Sequence, residues 1–344
     1  MEIEKLVRPN ILALKAYSSA RDEYSSTGEA VLLDANENPY KSAVNRYPDP
    51  YQREVKSKLA EIKSVKPSQI FLGNGSDEAI DLIFRIFCEP GKDNIVITDP
   101  TYGMYEVSAG INNIEIIKAP LNTDFSLDPG AVLTAINENT KVVFLCSPNN
   151  PSGNLLDEAA IEKIADSFNG ILVVDEAYID FAGTASFAKN LDKYKQLIVL
   201  QTFSKAWGMA GVRLGMAFAN QEIISLFNKV KPPYNINELT QQYALQQLSN
   251  PELIRKNIVQ IIAERDKLKR ELESLPSVDM VFPSDSNFLL VRFSNAKTLF
   301  DQLVEKKIIV RDRSKVRFGD NCLRITVGTP EENNLLIDTL KALQ

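Results

Sequence analysis

Between residues 70 and 220 the chain alternates between two apolar patterns. Short continuous runs, IFLG (70–73), NIVIT (94–98), IEIIKA (114–119), KVVFLC (141–146), ILVVD (171–175), LIVLQ (197–201) and LGMAFA (214–219), recur at intervals. Between most of them lie longer stretches whose apolar residues return every three or four positions, as in SDEAIDLIFRIF, DPGAVLTAINEN and LDEAAIEKIADSF. The runs read as strands buried on both faces, and the stretches as amphipathic helices that cover them. Strand and helix alternating in this way predict an α/β unit with a mostly parallel sheet of about seven strands.

After residue 220 the pattern changes. A long helical stretch, ELIRKNIVQIIAERDKLKRELESL, has the length to bridge two lobes. Beyond it VDMVFPSDSNFLLVRF, a helix through AKTLFDQLVEKK, strands IIVRD and LRITVG, and a closing helix EENNLLIDTLKALQ form an α+β pattern. The expected organisation is therefore an N-terminal arm with part of the small domain over residues 1–40, a large domain over 41–235 and a smaller C-terminal α+β domain over 236–344. The arm is polar and irregular, suited to wrapping onto the rest of the chain or onto a partner subunit.

Charge and composition remove several classes of function. The formal net charge of -6 argues against a nucleic-acid partner, which selects a concentrated basic face. No run approaches the roughly 18 apolar residues of a membrane helix, and MEIEKLVRPN lacks the layout of a signal peptide, so the expectation is a cytoplasmic protein without a membrane partner. Cys88, Cys146 and Cys322 are far apart in apolar surroundings and read as buried hydrophobes, with no disulfide and no metal spacing. The chain has 0 histidines, which excludes a histidine-based triad or imidazole metal site and leaves a lysine of lowered pKa as the candidate proton carrier.

Four loops that follow predicted strands carry the candidate chemistry. FLGNGSDEAIDL sets Ser76 and Asp77 at the start of a helix after two glycines, either as a plain N-cap or as a phosphate-binding terminus. CSPNNPSG is a turn that offers the amide of Asn149 to a ligand or serves only as a connection. In ILVVDEAYIDF, Asp175 ends an apolar strand and needs a cationic partner, and Tyr178 follows three residues later. LQTFSKAWGMAGVRLG places Ser204, Lys205 and Arg213 just beyond another strand. Open α/β sheets bind ligands at the carboxyl ends of their strands. A phosphate cup, an anion for a protonated ring nitrogen and a lysine amine at one sheet edge are what pyridoxal 5'-phosphate (PLP) requires, with Lys205 as its Schiff-base lysine.

The motifs DANENPY, NRYPDP, NGSDEAI, DPTYGMY, SPNNPSG, VVDEAYIDF, TFSKAWGMAGVRLG, SNFLLVRF and LRITVGT run in order over nearly the whole chain. In them the chain resembles the histidinol-phosphate branch of the fold type I, PLP-dependent aminotransferases. The resemblance implies that Tyr102 stacks on the cofactor ring, Asn149 and Tyr178 bond its 3-oxygen, and Asp175 pairs with its nitrogen. It also implies that Ser76, Asp77, Ser204 and Arg213 grip the phosphate, with Tyr47 reaching the phosphate across a homodimer interface. Arg324 would hold a carboxylate, and Tyr17 and Arg311 the distal anion. Packing aromatics are the plain alternative for Tyr47 and Tyr102, an exposed residue beside Asp312 that for Arg311, and Arg313 competes for the same role. The implied substrates are histidinol phosphate, glutamate and 2-oxoglutarate. An aromatic amino acid aminotransferase or a threonine-phosphate decarboxylase of the same fold is the rival.

Overall fold

The computed structural model describes residues 2–17 and 31–343. Each of the seven apolar runs forms a strand: β1 (Ile70–Asn74), β2 (Asn94–Asp99), β3 (Glu115–Pro120), β4 (Thr140–Cys146), β5 (Ile171–Asp175), β6 (Leu197–Thr202) and β7 (Leu214–Ala219). They make one sheet in the order β1-β7-β6-β5-β4-β2-β3. The pairings among β6, β5, β4, β2 and β3 are parallel, whereas β7 runs antiparallel to both β6 and β1. β1 therefore points the same way as β6, and only β7 is reversed. Consequently the ends of β1, β2, β4, β5 and β6, together with the start of β7, converge on one edge.

Apart from the edge strand β3, which is mostly exposed or half-buried, the runs are continuous because both faces of the sheet are dry. Leu72, Val143, Leu145, Leu172 and Val174 enter the core on one side, and Phe71, Val142, Phe144, Ile171 and Val173 enter the core on the other. That alternation is the period-2 geometry of a strand read on two buried faces. The first core is closed by Val55 and Leu59 of the helix Arg53–Lys63, Ile161 and Ile164 of Glu158–Ser167, and Ala244 and Leu248 of Glu238–Leu248. The second is closed by the helices Ser76–Phe87, Met104–Ile111 and Gln221–Val230.

A four-stranded sheet follows, built from β8 (Val278–Val281), β9 (Phe288–Phe293), β10 (Arg311–Asp312) and β11 (Cys322–Thr326) in the order β10-β11-β9-β8, every pairing antiparallel. The alternation along β9 divides between two cores. Leu289, Val291 and Phe293 pack under the helices Ala296–Glu305 and Pro330–Ala342, while Phe288 and Leu290 join the first core of the large sheet. The helix Pro251–Glu273 links the same two regions, with Ile254 in the first core and Leu268 and Leu272 in the third. This shared packing presses one face of the small sheet, with its arginines, toward the ligand edge of the large one.

Candidate active site

The cleft starts at the end of β1. Gly75 takes a left-handed φ of 73° and donates its N–H to the Arg213 carbonyl at 2.8 Å, which draws the start of β7 against the first turn of the helix Ser76–Phe87. A Cβ at Gly75 would meet Arg213 Nη2 at 2.8 Å, and one at Gly215 would meet the Ser76 nitrogen at 2.1 Å, so both positions need glycine for the approach. The exposed N–H groups of the helix terminus and its positive dipole end face the cleft beside Ser76, Ser204 and Arg213. Arg213 Nη2 also lies 3.5 Å from Asp77 Oδ2, which offsets the one carboxylate in this cup.

Across the cleft stands Asp175, 2% exposed, at the end of β5. Its Oδ2 accepts from the Tyr105 hydroxyl at 2.7 Å and its Oδ1 from the Ala177 N–H at 3.1 Å. Burial raises its carboxyl pKa to about 6 in spite of those bonds. A buried carboxylate at the floor of a ligand cleft is suited to a cationic nitrogen. Lys205 enters from the turn after β6, its Nζ 5.7 Å from the ring centroid of Tyr178. Partial desolvation, then Arg324, lower its pKa and so favour the neutral amine. Burial raises the Tyr178 phenol, which stays protonated. Gly75, Ser76, Asp77, Tyr102, Asp175, Tyr178, Ser204, Lys205 and Arg213 all line this cleft, a cavity of about 170 Å³ that opens to solvent.

The expectation for Asn149 needs correction. Its side chain is fully buried, donating to the Pro100 carbonyl at 3.1 Å and Ser152 Oγ at 2.8 Å and accepting from Thr101 Oγ1 at 3.1 Å. The amide is thus spent on pinning the loop after β4 to the loop after β2. Asn150 takes its place on the wall: its Nδ2 donates to the Tyr178 hydroxyl at 3.3 Å, and its Oδ1 accepts from Arg324 Nη1 at 2.5 Å. Tyr105 is a second residue that motif reading did not single out. Tyr105 stands in the first turn of the helix Met104–Ile111, its N–H donating to the Tyr102 carbonyl at 3.3 Å, and the two rings meet edge-on with centroids 5.6 Å apart.

Beside the cleft, Tyr102, Asn150, Arg311, Arg313, Lys315 and Arg317 line a broader depression. Arg311 and Arg324 are cross-strand partners in β10 and β11, like charges placed side by side. Arg313 Nε is buried without a hydrogen-bond partner, and burial together with Arg324 and Arg311 pushes the guanidinium down to about 10. Among the described residues none of these three arginines forms an ion pair with a carboxylate. Such a group is built to receive an anion. Tyr17 and Tyr47 do not line either space within one chain. Tyr17 is 64% exposed in a hollow beside Tyr51 and Lys231, and Tyr47 is 50% exposed, stacked on Tyr234 at 4.4 Å in a hollow with Val44 and Leu239.

This fold and edge define an aminotransferase of class I and II, and the chain belongs to that family, whose model matches residues 10–340. The particular relatives share one name. The chain is 55% identical to the histidinol-phosphate aminotransferase of Cytophaga hutchinsonii, over 98% of this chain and 98% of that one. It is 53% identical to the histidinol-phosphate aminotransferase of Parabacteroides distasonis, over 100% of this chain and 99% of the other. Among solved structures it is similar to the histidinol-phosphate aminotransferase from Clostridium acetobutylicum, with a TM-score of 0.81 at 25% identity, covering 87% of this chain and 91% of that one.

Proposed function

We propose that this protein is a histidinol-phosphate aminotransferase, which uses PLP to transfer an amino group between glutamate and imidazole acetol phosphate, giving histidinol phosphate and 2-oxoglutarate. The observation that carries the reading is the cleft that joins Lys205, Asp175 and an anion cup at the Ser76 helix terminus to a group of unpaired arginines. The relatives named above favour it over an aromatic aminotransferase or a threonine-phosphate decarboxylase.

The residues fit the cofactor. Ser76, Ser204, Arg213 and the helix N-terminus, with Asp77 orienting Arg213, would hold its phosphate; Asp175 would face its ring nitrogen; Asn150 and Tyr178 would meet its 3-oxygen; Tyr102 would cover its ring. When bound, PLP supplies an aldehyde for amines and a ring that withdraws electrons from the substrate's α-carbon. Lys205 would hold the cofactor, and its amine, when free, would take the α-proton of the substrate. Lowered basicity suits it to that work in a chain with 0 histidines. Arg324 would grip the glutamate α-carboxylate through its planar fork, held in place by Asn150. Arg311, with Arg313 beside it, would take the distal anion, either the substrate phosphate or the glutamate γ-carboxylate.

The half-exposed Tyr47, lying with exposed Val44 and Leu239, supports a homodimer in which Tyr47, and Tyr17 with it, complete the partner's cleft. Among the described residues no helix is long and apolar enough to cross a membrane.

The test is an absorbance titration of the PLP-loaded protein with histidinol phosphate. Conversion of the lysine-bound cofactor to its aminated form is expected, and in Lys205→Ala that conversion should slow by about 10⁴-fold or more. No spectral response to histidinol phosphate alongside a full response to an aromatic amino acid would remove the proposal.

A further inference from the structure

Asp175 can serve a bound ring nitrogen only if it remains ionised and remains aimed at the cleft. The surroundings work against ionisation: the site is buried, and Asp77 from the helix Ser76–Phe87 adds a like charge. Cys146 lies beside it in register on β4, the phenols of Tyr102 and Tyr178 stand nearby, and Lys205 is the cation that acts in its favour. Among the described residues one side chain donates a hydrogen bond to Asp175, and it is Tyr105, at 2.7 Å. The ring of Tyr105 is 0% exposed, stacked on Phe144 at 4.8 Å and edge-on to Tyr102, so its hydroxyl has a fixed direction. It does not line the cleft itself; it stands behind Asp175.

We propose that Tyr105 is a positioning residue for the reaction, whose hydroxyl both fixes the rotation of the Asp175 carboxylate and makes that carboxylate a weaker base than the ring nitrogen it faces. A proton shared between a carboxylate and a nitrogen rests on the more basic partner, and hydrogen-bond donation to the carboxylate stabilises its charged form. Without that donation the proton drifts toward Asp175 and the ring loses its pull on electrons. The inference rests on the PLP reading for its consequence in the reaction, but its effect on the carboxylate is a property of this chain alone. A merely structural Tyr105, which uses Asp175 to satisfy a buried hydroxyl, would influence stability and leave kcat and the pH at which the bound cofactor titrates alone.

The variant is Tyr105→Phe, which keeps the ring and its stacking. In the apoprotein the titration of Asp175 is followed by carbon-13 carboxyl NMR and assigned with Asp175→Asn. The expected result is a proton affinity about tenfold higher in Tyr105→Phe than in the parent protein. In the loaded protein the visible absorbance of the bound cofactor should titrate at a shifted pH and kcat should fall about tenfold, with KM for both substrates unchanged. Site-specific 3-fluorotyrosine at position 105, a stronger donor, should move the Asp175 titration in the opposite direction and keeps the test decisive if Tyr105→Phe does not fold. An Asp175 titration unmoved by either change overturns the proposal. Failure of the parent protein to bind PLP would instead remove the functional reading and leave the carboxylate comparison standing.

Discussion

The cleft has two walls built on different terms. On the side of the large sheet, Asp175, Asn150 and Tyr178 line the cleft, buried and hydrogen-bonded to fixed neighbours, with Asn149 and Tyr105 bonded behind them. On the side of the small sheet, Arg311, Arg313 and Arg324 sit half-buried or exposed, close to one another and short of anionic partners. On the proposed function the first wall would hold one ligand that never changes. The second would accept two substrates whose anions differ in shape, and it would gain by leaving its guanidiniums unspent. Asn150 is the joint between the walls, bonded to Tyr178 on one side and to Arg324 on the other.

The contrast predicts which parameter each wall controls. The largest effect belongs to Arg324→Lys, which replaces a planar fork by a point charge and frees Asn150. KM for glutamate should rise roughly 10- to 100-fold, while the absorbance of the bound cofactor stays as it was. Arg313→Gln should act more selectively, raising KM for histidinol phosphate about tenfold and that for glutamate less, because a phosphate dianion draws on more donors than a carboxylate. Steady-state kinetics with each substrate varied in turn check both. Equal losses for the two substrates in Arg313→Gln would mean that this wall does not sort them.

The smallest effect concerns the cost of the buried wall. Glu176 lies beside Asp175 in sequence and accepts from Ser186 Oγ, the Phe187 N–H and Gln201 Nε2, yet burial raises its carboxyl pKa from 4.5 to about 7. A folded-state pKa above the unfolded one means that the native state binds the extra proton. The stability this gives is therefore fully present below pH 4.5 and is lost as pH rises through about 7, an amount on the order of 3 kcal/mol. Thermal melts of parent and Glu176→Gln across pH 5 to 8.5 read it. The parent should lose Tm as pH rises, and the variant should show a flatter profile.

How much of this was legible follows the same division. Six of the seven strands stand out in the sequence because both faces of the sheet are dry along them, whereas the edge strand β3 is mostly exposed or half-buried. Lys205, Asp175 and Ser76 were legible as polar residues placed where such strands stop. The choice between Asn149 and Asn150 was not. Adjacent residues in a turn point in different directions, and which amide reaches the wall depends on backbone that has no period to read. Tyr105 was hidden because its ring packs as an apolar aromatic and only the hydroxyl has a task. The helix Glu238–Leu248 falls in the segment expected in the small domain, but its Ala244 and Leu248 pack on the large sheet, since an amphipathic face does not name the core it joins. Part of the N-terminal arm, residues 18–30, lies outside the described residues.

The central claim is that Lys205 and Asp175 enclose a single cofactor at the edge of the large sheet. Borohydride reduction of the PLP-loaded protein, followed by peptide mass spectrometry, tests it most directly. One stable pyridoxyl adduct is expected, on Lys205, lost in Lys205→Ala and weakened in Asp175→Ala. An adduct confined to another lysine, or none on a protein that still turns over substrate, would contradict it.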